Sequence, residues 1–547
     1  MGKRSSRKQK PSHKNHNSRP KNGQSQLARS FQPGGSDIFS CEPYVYTVSP
    51  QDAHLRCHCC LKLLPDAELR PTEFSCGSCK YFRYCGKECQ NKDKLRHQNE
   101  CALWKRIKDA GLVPNVTFIL VLRAVLAMKD AGQENDWELL KFSDLLSHVE
   151  VLLKDEEEKA LVTSTRKSLA KILKMTEKNL LDPDSFPELY GRIRFNAMAI
   201  YDTDVIQSLK GHGIYKHFAY LKHSCMPSAC AIFEGVRLKV RAMKYVPDIS
   251  KVTVSFVDQL LPRSCRCKIL MEEYDCVCDC QRCSTPGTDA EMYALRCPRK
   301  NCSAVIPSDH RALTECVACG ARLYDNSAYS SALILMAEFP LLKSQLAKRI
   351  GSVTGPENSY RVLCELNTAM EKYDVLHYNN PYFSALMLFM GNVYFKRHEY
   401  SQAAVWVEFA LESYRKLLDA NDPRVGMLLL KIAEARYLDS LLEGPRFVAT
   451  SDKERFDLSA QEARRALEIA YGPDSPLVTK ALKLVHASRT RLHPGRVNSS
   501  KDYSESEDDE ECSCGRCSTS TKVEEEKNYK DFFDDRDFYA RSMRQAN

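Results

Sequence analysis

Four short pairs of metal-ligand side chains fall between residues 57 and 101: Cys57-x2-Cys60, Cys76-x2-Cys79, Cys85-x3-Cys89 and His97-x3-Cys101. A pair at such spacing can grip one tetrahedral Zn2+ from a tight turn or from one turn of helix. Eight ligands complete two sites with no open position, and closed sites serve structure rather than catalysis. So short a segment has little core of its own, and the metal must supply folding energy. Further on, Cys278-x-Cys280-x2-Cys283 is one ligand short of a site, and Cys225 is a candidate fourth brought in by the fold. Cys297-x4-Cys302 with Cys316-x2-Cys319 makes another set, and Pro298 and Gly320 suit ribbon-type knuckles. The nominal zinc count is therefore four. Cys512-x-Cys514-x2-Cys517 lies in an acidic stretch and is read as binding nothing in particular.

The reading as metal depends on compartment. The chain has 25 cysteines in 547 residues, and disulfides would need an oxidising environment. The start lacks a signal-type apolar region and no apolar run is long enough to cross a bilayer, so an intracellular protein without a membrane partner is expected. The net charge of +9 is unevenly spread. Residues 1–30 are basic and free of acids, and residues 502–511 are nearly all acid or serine, so both ends read as charged disordered tails. The basic tail can meet nucleic acid only nonspecifically. Ser504 and Ser506, among acids, are compositional kinase targets.

Between the tails the pattern alternates. Residues 36–48 read as strand after a Pro33-Gly34 turn, residues 102–182 as helix, and residues 190–262 as short strands and turns, including GRIRFNAMAIYD and KVTVSFVD. From 325 to 493 a helical pattern repeats. Ala369-Met370-Glu371, Ala410-Leu411-Glu412 and Ala466-Leu467-Glu468 lead to Asn380-Pro381, Asp422-Pro423 and Ser475-Pro476, a proline near each next helix start. Gly391-Asn392, Tyr394, Tyr400 and Ala403-Ala404 resemble a tetratricopeptide repeat, which implies stacked helical hairpins.

With Tyr84-Cys85-x3-Cys89-Gln90 and His97-x3-Cys101, the first cluster resembles a MYND finger. That resemblance implies cross-braced pairing: Cys57, Cys60, Cys85 and Cys89 on one ion, Cys76, Cys79, His97 and Cys101 on the other, with Cys59 spare. It also implies protein partners, often proline-rich. Lys222-His223-Ser224-Cys225 with the Cys278–Cys283 cluster resembles a SET domain and its post-SET loop; Asn196 before Ala197-Met198-Ala199-Ile200 and Gly211-x-Gly213-Ile214-Tyr215 are further matches. A MYND finger inserted near the start of a SET fold, with helical repeats behind, is the architecture of the SMYD family, which the chain resembles over about residues 30–490.

The resemblance implies an α+β multidomain fold: a zinc-stapled MYND finger inserted in a β-rich SET fold, followed by an all-α tetratricopeptide-like C-terminal domain. The expected divisions are a basic tail (1–30), a first SET segment (31–56), the finger (57–101), a helical insert (102–189), the core SET (190–262), a post-SET zinc loop (263–285), a zinc ribbon (290–322), helical repeats (325–493) and an acidic tail (494–547).

SET enzymes move a methyl group from S-adenosylmethionine to a lysine amine. That requires a close backbone approach to the cofactor by a Gly-x-Gly turn, polar groups on its amino-acid end, and a tyrosine hydroxyl that aligns the amine. The resemblance places Asn196, Lys222 and His223 at the cofactor and Phe256 at the catalytic tyrosine. The departures are several. Only Asn22-Gly23-Gln24 stands where the Gly-x-Gly belongs, Lys222 replaces an asparagine, Phe256 lacks the hydroxyl, and Cys276 replaces a channel aromatic. Tyr245 or Tyr274 are candidates to supply the missing hydroxyl. The expectation is a protein-interaction scaffold or transcriptional co-regulator with a degenerate site, in nucleus or cytoplasm, with histone or chromatin proteins among its partners. The alternative is an active protein-lysine methyltransferase.

Overall fold

The computed structural model describes residues 33–64, 74–130, 141–182, 184–201, 209–285, 289, 294–299, 302–306, 315–322, 326–351, 356–442 and 450–492. Both charged tails, Asn22-Gly23-Gln24, Ser504, Ser506 and Cys512, Cys514 and Cys517 lie outside these residues.

The chain opens with β1 (Asp37–Cys41) and β2 (Val45–Val48), then enters the first cysteine cluster with α1 (Lys87–Lys92) and α2 (Lys94–Asp109). Helices α3 (Val116–Asp130), α4 (Val149–Leu152), α5 (Glu156–Leu173), α6 (Glu177–Leu180) and α7 (Ser185–Arg194) follow. The chain then returns to strands: β3 (Ala197–Tyr201), β4 (Leu209–Ile214), β5 (Lys222–His223), β6 (Ala229–Glu234), β7 (Arg237–Ala242) and β8 (Thr253–Val254), with the short helix α8 (Lys216–Ala219) between β4 and β5.

The hydrogen-bonded order is β1-β7-β6 in one sheet and β2-β4-β3 in another, with β5 parallel to β8. Thus β1 and β2, near the start, pair with strands about 200 and about 165 residues later, and the finger and helices form an excursion between them. In β4, a Cβ at Gly211 would overlap the Thr47 carbonyl, so glycine lets β4 sit between β2 and β3. The segment read as strand from residue 190 begins as helix. Phe186, Leu189, Tyr190 and Ile193 are buried at helical spacing, and Gly191 lies where any Cβ would strike the Ser147 carbonyl, so α7 runs to Arg194 before β3 starts.

The remaining elements are α9 (Arg263–Tyr274), α10 (Gln281–Ser284), a small β9–β10 ladder (Leu295–Arg296 with Val305–Ile306), and helices α11 (Asn326–Gly351), α12 (Pro356–Lys372), α13 (Pro381–Lys396), α14 (Tyr400–Leu417), α15 (Pro423–Leu442), α16 (Thr450–Tyr471) and α17 (Pro476–Leu492). The prolines are the first residues of α13, α15 and α17, where a missing N–H costs nothing. Each is preceded by a capping side chain: Asn380 Oδ1 accepts from Tyr382 N at 3.1 Å, Asp422 Oδ1 from Arg424 N at 2.9 Å, and Ser475 Oγ from Leu477 N at 3.3 Å. A Cβ on Gly391 would lie 2.7 Å from Val407 Cγ2, so this glycine sets the α13–α14 approach. The molecule is thus a multidomain α+β protein with a helical C-terminal region.

Two arginines join the strands to that region. Arg241 of β7 donates from Nε to the Ile469 carbonyl at 3.1 Å, and pairs with Asp37 and the Gly35 carbonyl. Arg424, at the start of α15, holds Asp422 and reaches Asp258 Oδ1 at 2.8 Å. Among the described residues no helix is long and apolar enough to cross a membrane.

Candidate functional site

Four donor sets come together: Cys57, Cys60, Cys85 and Cys89; Cys76, Cys79, His97 and Cys101; Cys225, Cys278, Cys280 and Cys283; Cys297, Cys302, Cys316 and Cys319. Within each, all ligand atoms lie within 4.8 Å of one another. Hydrogen-bond-range sulfur separations are 3.7 Å (Cys60–Cys85), 3.5 Å (Cys85–Cys89), 3.7 Å (Cys76–Cys101), 3.6 Å (Cys225–Cys283) and 3.8 Å (Cys302–Cys316). A disulfide would need about 2.05 Å. A tetrahedron with Zn–S bonds of about 2.3 Å has edges of about 3.8 Å. The separations therefore fit four thiolates around one ion, or three with the His97 ring in the second set. Short pairs from distant stretches meet in the cross-braced arrangement.

Three of the sets share one local device. Leu61 N bonds the Cys57 carbonyl at 2.9 Å, Lys80 N the Cys76 carbonyl at 3.0 Å, and Gly320 N the Cys316 carbonyl at 2.8 Å. Each of these residues turns left-handed, with φ of 60°, 55° and 67°. The turn aims both sulfurs inward, and only Gly320 meets the requirement without a Cβ. Cys85 and Cys89 instead bracket the first turn of α1, and His97 and Cys101 lie one turn apart on α2. Cys59 stays outside the first set, in hydrogen-bond contact with Cys89.

The finger is bolted to the sheet. Buried Arg123 of α3 pairs with buried Glu100 of α2 at 2.9 Å and also reaches the Tyr46 carbonyl of β2. Trp104 Nε1 donates to Glu100 at 3.0 Å and its ring stacks on Tyr81 at 3.5 Å. Arg96 lies 4.5 Å from the centre of the Tyr46 ring.

The Cys225 set adjoins an aromatic cluster. Arg266 of α9, wholly buried, donates from Nε to Cys225 Sγ at 3.1 Å and from Nη2 to Cys283 Sγ at 3.6 Å. Its Nη1 holds the Leu261 carbonyl and Asp289, each at 2.6 Å. Four thiolates on one Zn2+ leave a net negative charge, and the guanidinium offsets it without water. Nothing in the local sequence marks Arg266, because its partner Cys225 lies in another stretch of chain.

Phe256 follows β8. Its ring centre is 5.6 Å from Phe218, 5.5 Å from His223 and 5.2 Å from Tyr274. Burial pushes the Tyr274 hydroxyl up to about 12, with neighbouring Tyr201 and Glu273 adding to it. Tyr201, the last residue of β3, is raised likewise by desolvation and by Asp258. Tyr245 is 61% exposed, whereas Tyr274 packs on Phe256, so of the two tyrosines considered for the missing hydroxyl Tyr274 is the one in the cluster. Tyr201 was not visible as a candidate in the sequence; it arrives through the sheet.

The residues assigned to the cofactor lie as follows. Asn196 gives its amide hydrogens to the carbonyls of Leu146 and Arg192, both at 2.9 Å, tying α7 and the preceding loop to β3. Lys222 is exposed on β5, opposite Thr253. His223 Nδ1 accepts from Phe256 N at 3.0 Å and its Nε2 stands 3.3 Å from Cys225 Sγ. Two of the three thus have polar atoms engaged by the protein itself.

The family model of the MYND finger matches residues 57–101. Histone-lysine N-methyltransferase SMYD3 of Homo sapiens is 27% identical over 264 residues, covering 47% of this chain and 58% of the relative. N-lysine methyltransferase SMYD2 of Homo sapiens is 28% identical over 279 residues, covering 50% of this chain and 61% of the relative. These likenesses support a place for the chain in the SMYD family, as a divergent member. N-lysine methyltransferase SMYD2-B of Danio rerio is similar at 28% over 265 residues, 48% of this chain and 58% of the relative. The matches span about three fifths of these SMYD relatives' own length. The finger is a protein-interaction domain, and the Cys/His clusters are zinc-binding.

Proposed function

We propose that this chain is a zinc-stapled SET and MYND protein that gathers protein partners through its finger and its tetratricopeptide-like helices. In this reading the SET fold, with the finger inserted near its start, is kept as structure and transfers methyl groups weakly or not at all. Each of the four donor sets holds one Zn2+. The supporting observation is the engagement of the cofactor candidates: the Asn196 amide is spent on two carbonyls and His223 on Phe256 and Cys225. Lys222 would add a cation beside a sulfonium, a like-charge contact.

Calorimetric titration of S-adenosylmethionine into the zinc-loaded protein tests it. No heat up to millimolar cofactor is expected, together with loss of protein partners from pull-downs when the finger is deleted. Micromolar binding, or an unaltered partner set, overturns the reading.

The packing of Tyr274 on Phe256, with Tyr201 alongside, supports a second reading. There the chain is an S-adenosylmethionine-dependent protein-lysine methyltransferase whose amine-aligning hydroxyl comes from Tyr274. Radiolabelled methyl transfer to lysate proteins would then fall by about 10²-fold in Tyr274→Phe. Label no higher than in a heat-killed control refutes it.

A further inference from the structure

We infer that His223 is a positioning residue that ties metal occupancy at the Cys225 set to the backbone of Phe256. The inference is independent of whether methyl transfer occurs. Its basis is a continuous line of contacts: Cys225 Sγ to His223 Nε2 at 3.3 Å, and His223 Nδ1 to Phe256 N at 3.0 Å.

The chemistry of the ring makes the line directional. A backbone N–H can only donate, so Nδ1 must be the acceptor and the neutral ring carries its proton on Nε2. That proton points at the sulfur, and a metal-bound sulfur is an anionic acceptor fixed at one place. The metal thus holds the sulfur, the sulfur holds the ring, and the ring holds the Phe256 amide. The ring also lies 5.5 Å from the Phe256 ring centre, so main chain and side chain share one support. The parallel pairing of β5 with β8 sets up the contact, with Ser224 N bonding the Val254 carbonyl at 2.9 Å and His223 beside Val254.

The other donor on Cys225 leads elsewhere. Arg266 runs to the Leu261 carbonyl and Asp289. His223, which also hydrogen-bonds Cys278 of the same set, is therefore a side-chain connection from this cluster to the Phe256 backbone. Two residues beyond Phe256, Asp258 is held by Arg424 of α15. The Phe256–Asp258 turn is consequently gripped from the metal on one side and from the helical region on the other.

Two substitutions separate the halves of the ring. His223→Asn keeps an acceptor near the Nδ1 position and loses the donor to sulfur. His223→Gln keeps a donor near Nε2 and loses the acceptor. The full-length, zinc-loaded protein is used. One readout is amide hydrogen exchange in the peptide containing Phe256. The other is zinc release to a chromophoric chelator from the Cys225 set, identified as the phase absent in Cys280→Ser.

His223→Asn should speed that phase by about 10- to 100-fold while retaining most Phe256 protection. His223→Gln should do the opposite, raising Phe256 exchange about tenfold with little change in release. Cys280→Ser should raise Phe256 exchange in the parent and add nothing in His223→Asn. A merely structural role moves both readouts together. Parallel changes in the two variants, no change in either, or an equal Cys280→Ser effect with and without His223, overturns the inference. Exchange in α15 reports whether any variant has lost its fold.

Discussion

Glu100→Gln is the sharpest probe of how the finger is fixed to the sheet. The carboxylate and Arg123 are 2% and 4% exposed, and the guanidinium contacts both carboxylate oxygens at 2.9–3.2 Å. Glutamine is nearly isosteric and can still accept from Trp104, so packing is preserved and the charge is lost. Arg123 is then a buried cation without its anion, and breaking such a pair costs about 3–5 kcal/mol. At about 2–4 °C per kcal/mol for a unit of this size, melting in excess zinc should fall by roughly 6–20 °C. The pH dependence has a definite sign. Burial works to raise the Glu100 carboxyl, but Arg123, Arg96 and the Trp104 hydrogen bond outweigh it and hold the group below its ordinary value. A depressed carboxyl stabilises the fold above its ordinary value and ceases to do so as pH falls through the folded one. Glutamine does not titrate, so the gap between parent and variant is constant from pH 6 to 8 and narrows only in acid. A loss under about 1 kcal/mol would mean that water reaches Arg123, and the buried-pair argument would fail. Adding Arg123→Met to Glu100→Gln should recover more than half of the loss.

Three further outcomes are expected. Metal analysis of protein purified without chelator should give about four zinc per chain, one for each donor set, and a count of two would confine the metal to the finger. Lys80→Gly should stabilise the zinc-loaded protein by about 0.5–1 kcal/mol, because Lys80 is exposed and holds φ at 55°; destabilisation in urea titrations would show that the knuckle is not strained. Gly391→Ala should cost about 1–3 kcal/mol as the new methyl meets Val407, and an unchanged melting temperature would show that α13 and α14 can separate freely.

What could be read in the sequence was short-range. A knuckle is closed by its own four or five residues, so Cys57-x2-Cys60 announces itself, and so do Asn380-Pro381 and its repeats, whose cap and fixed φ act within one turn. The end of α7 is hidden in the sequence because GRIRFN carries strand-like residues, while the packing that makes it helical comes from Ser147 and the core. Arg266 and the double engagement of His223 were invisible because each depends on a partner that the fold delivers: Cys225 for one, and the β5–β8 pairing for the other. Zinc ligands were thus legible as types and spacings. The side chains that tune them were not.

Arg241 has a consequence for where the chain can be cut short. Its guanidinium meets the carbonyls of Glu468 and Ile469 in the last turn of α16, where a cation complements the helix dipole, and its residue is only 5% exposed. A transcript ending before α16 would leave that cation facing an empty seat, with Asp37 as its remaining anion. Truncation at this boundary would therefore disturb the sheet as well as remove the helices.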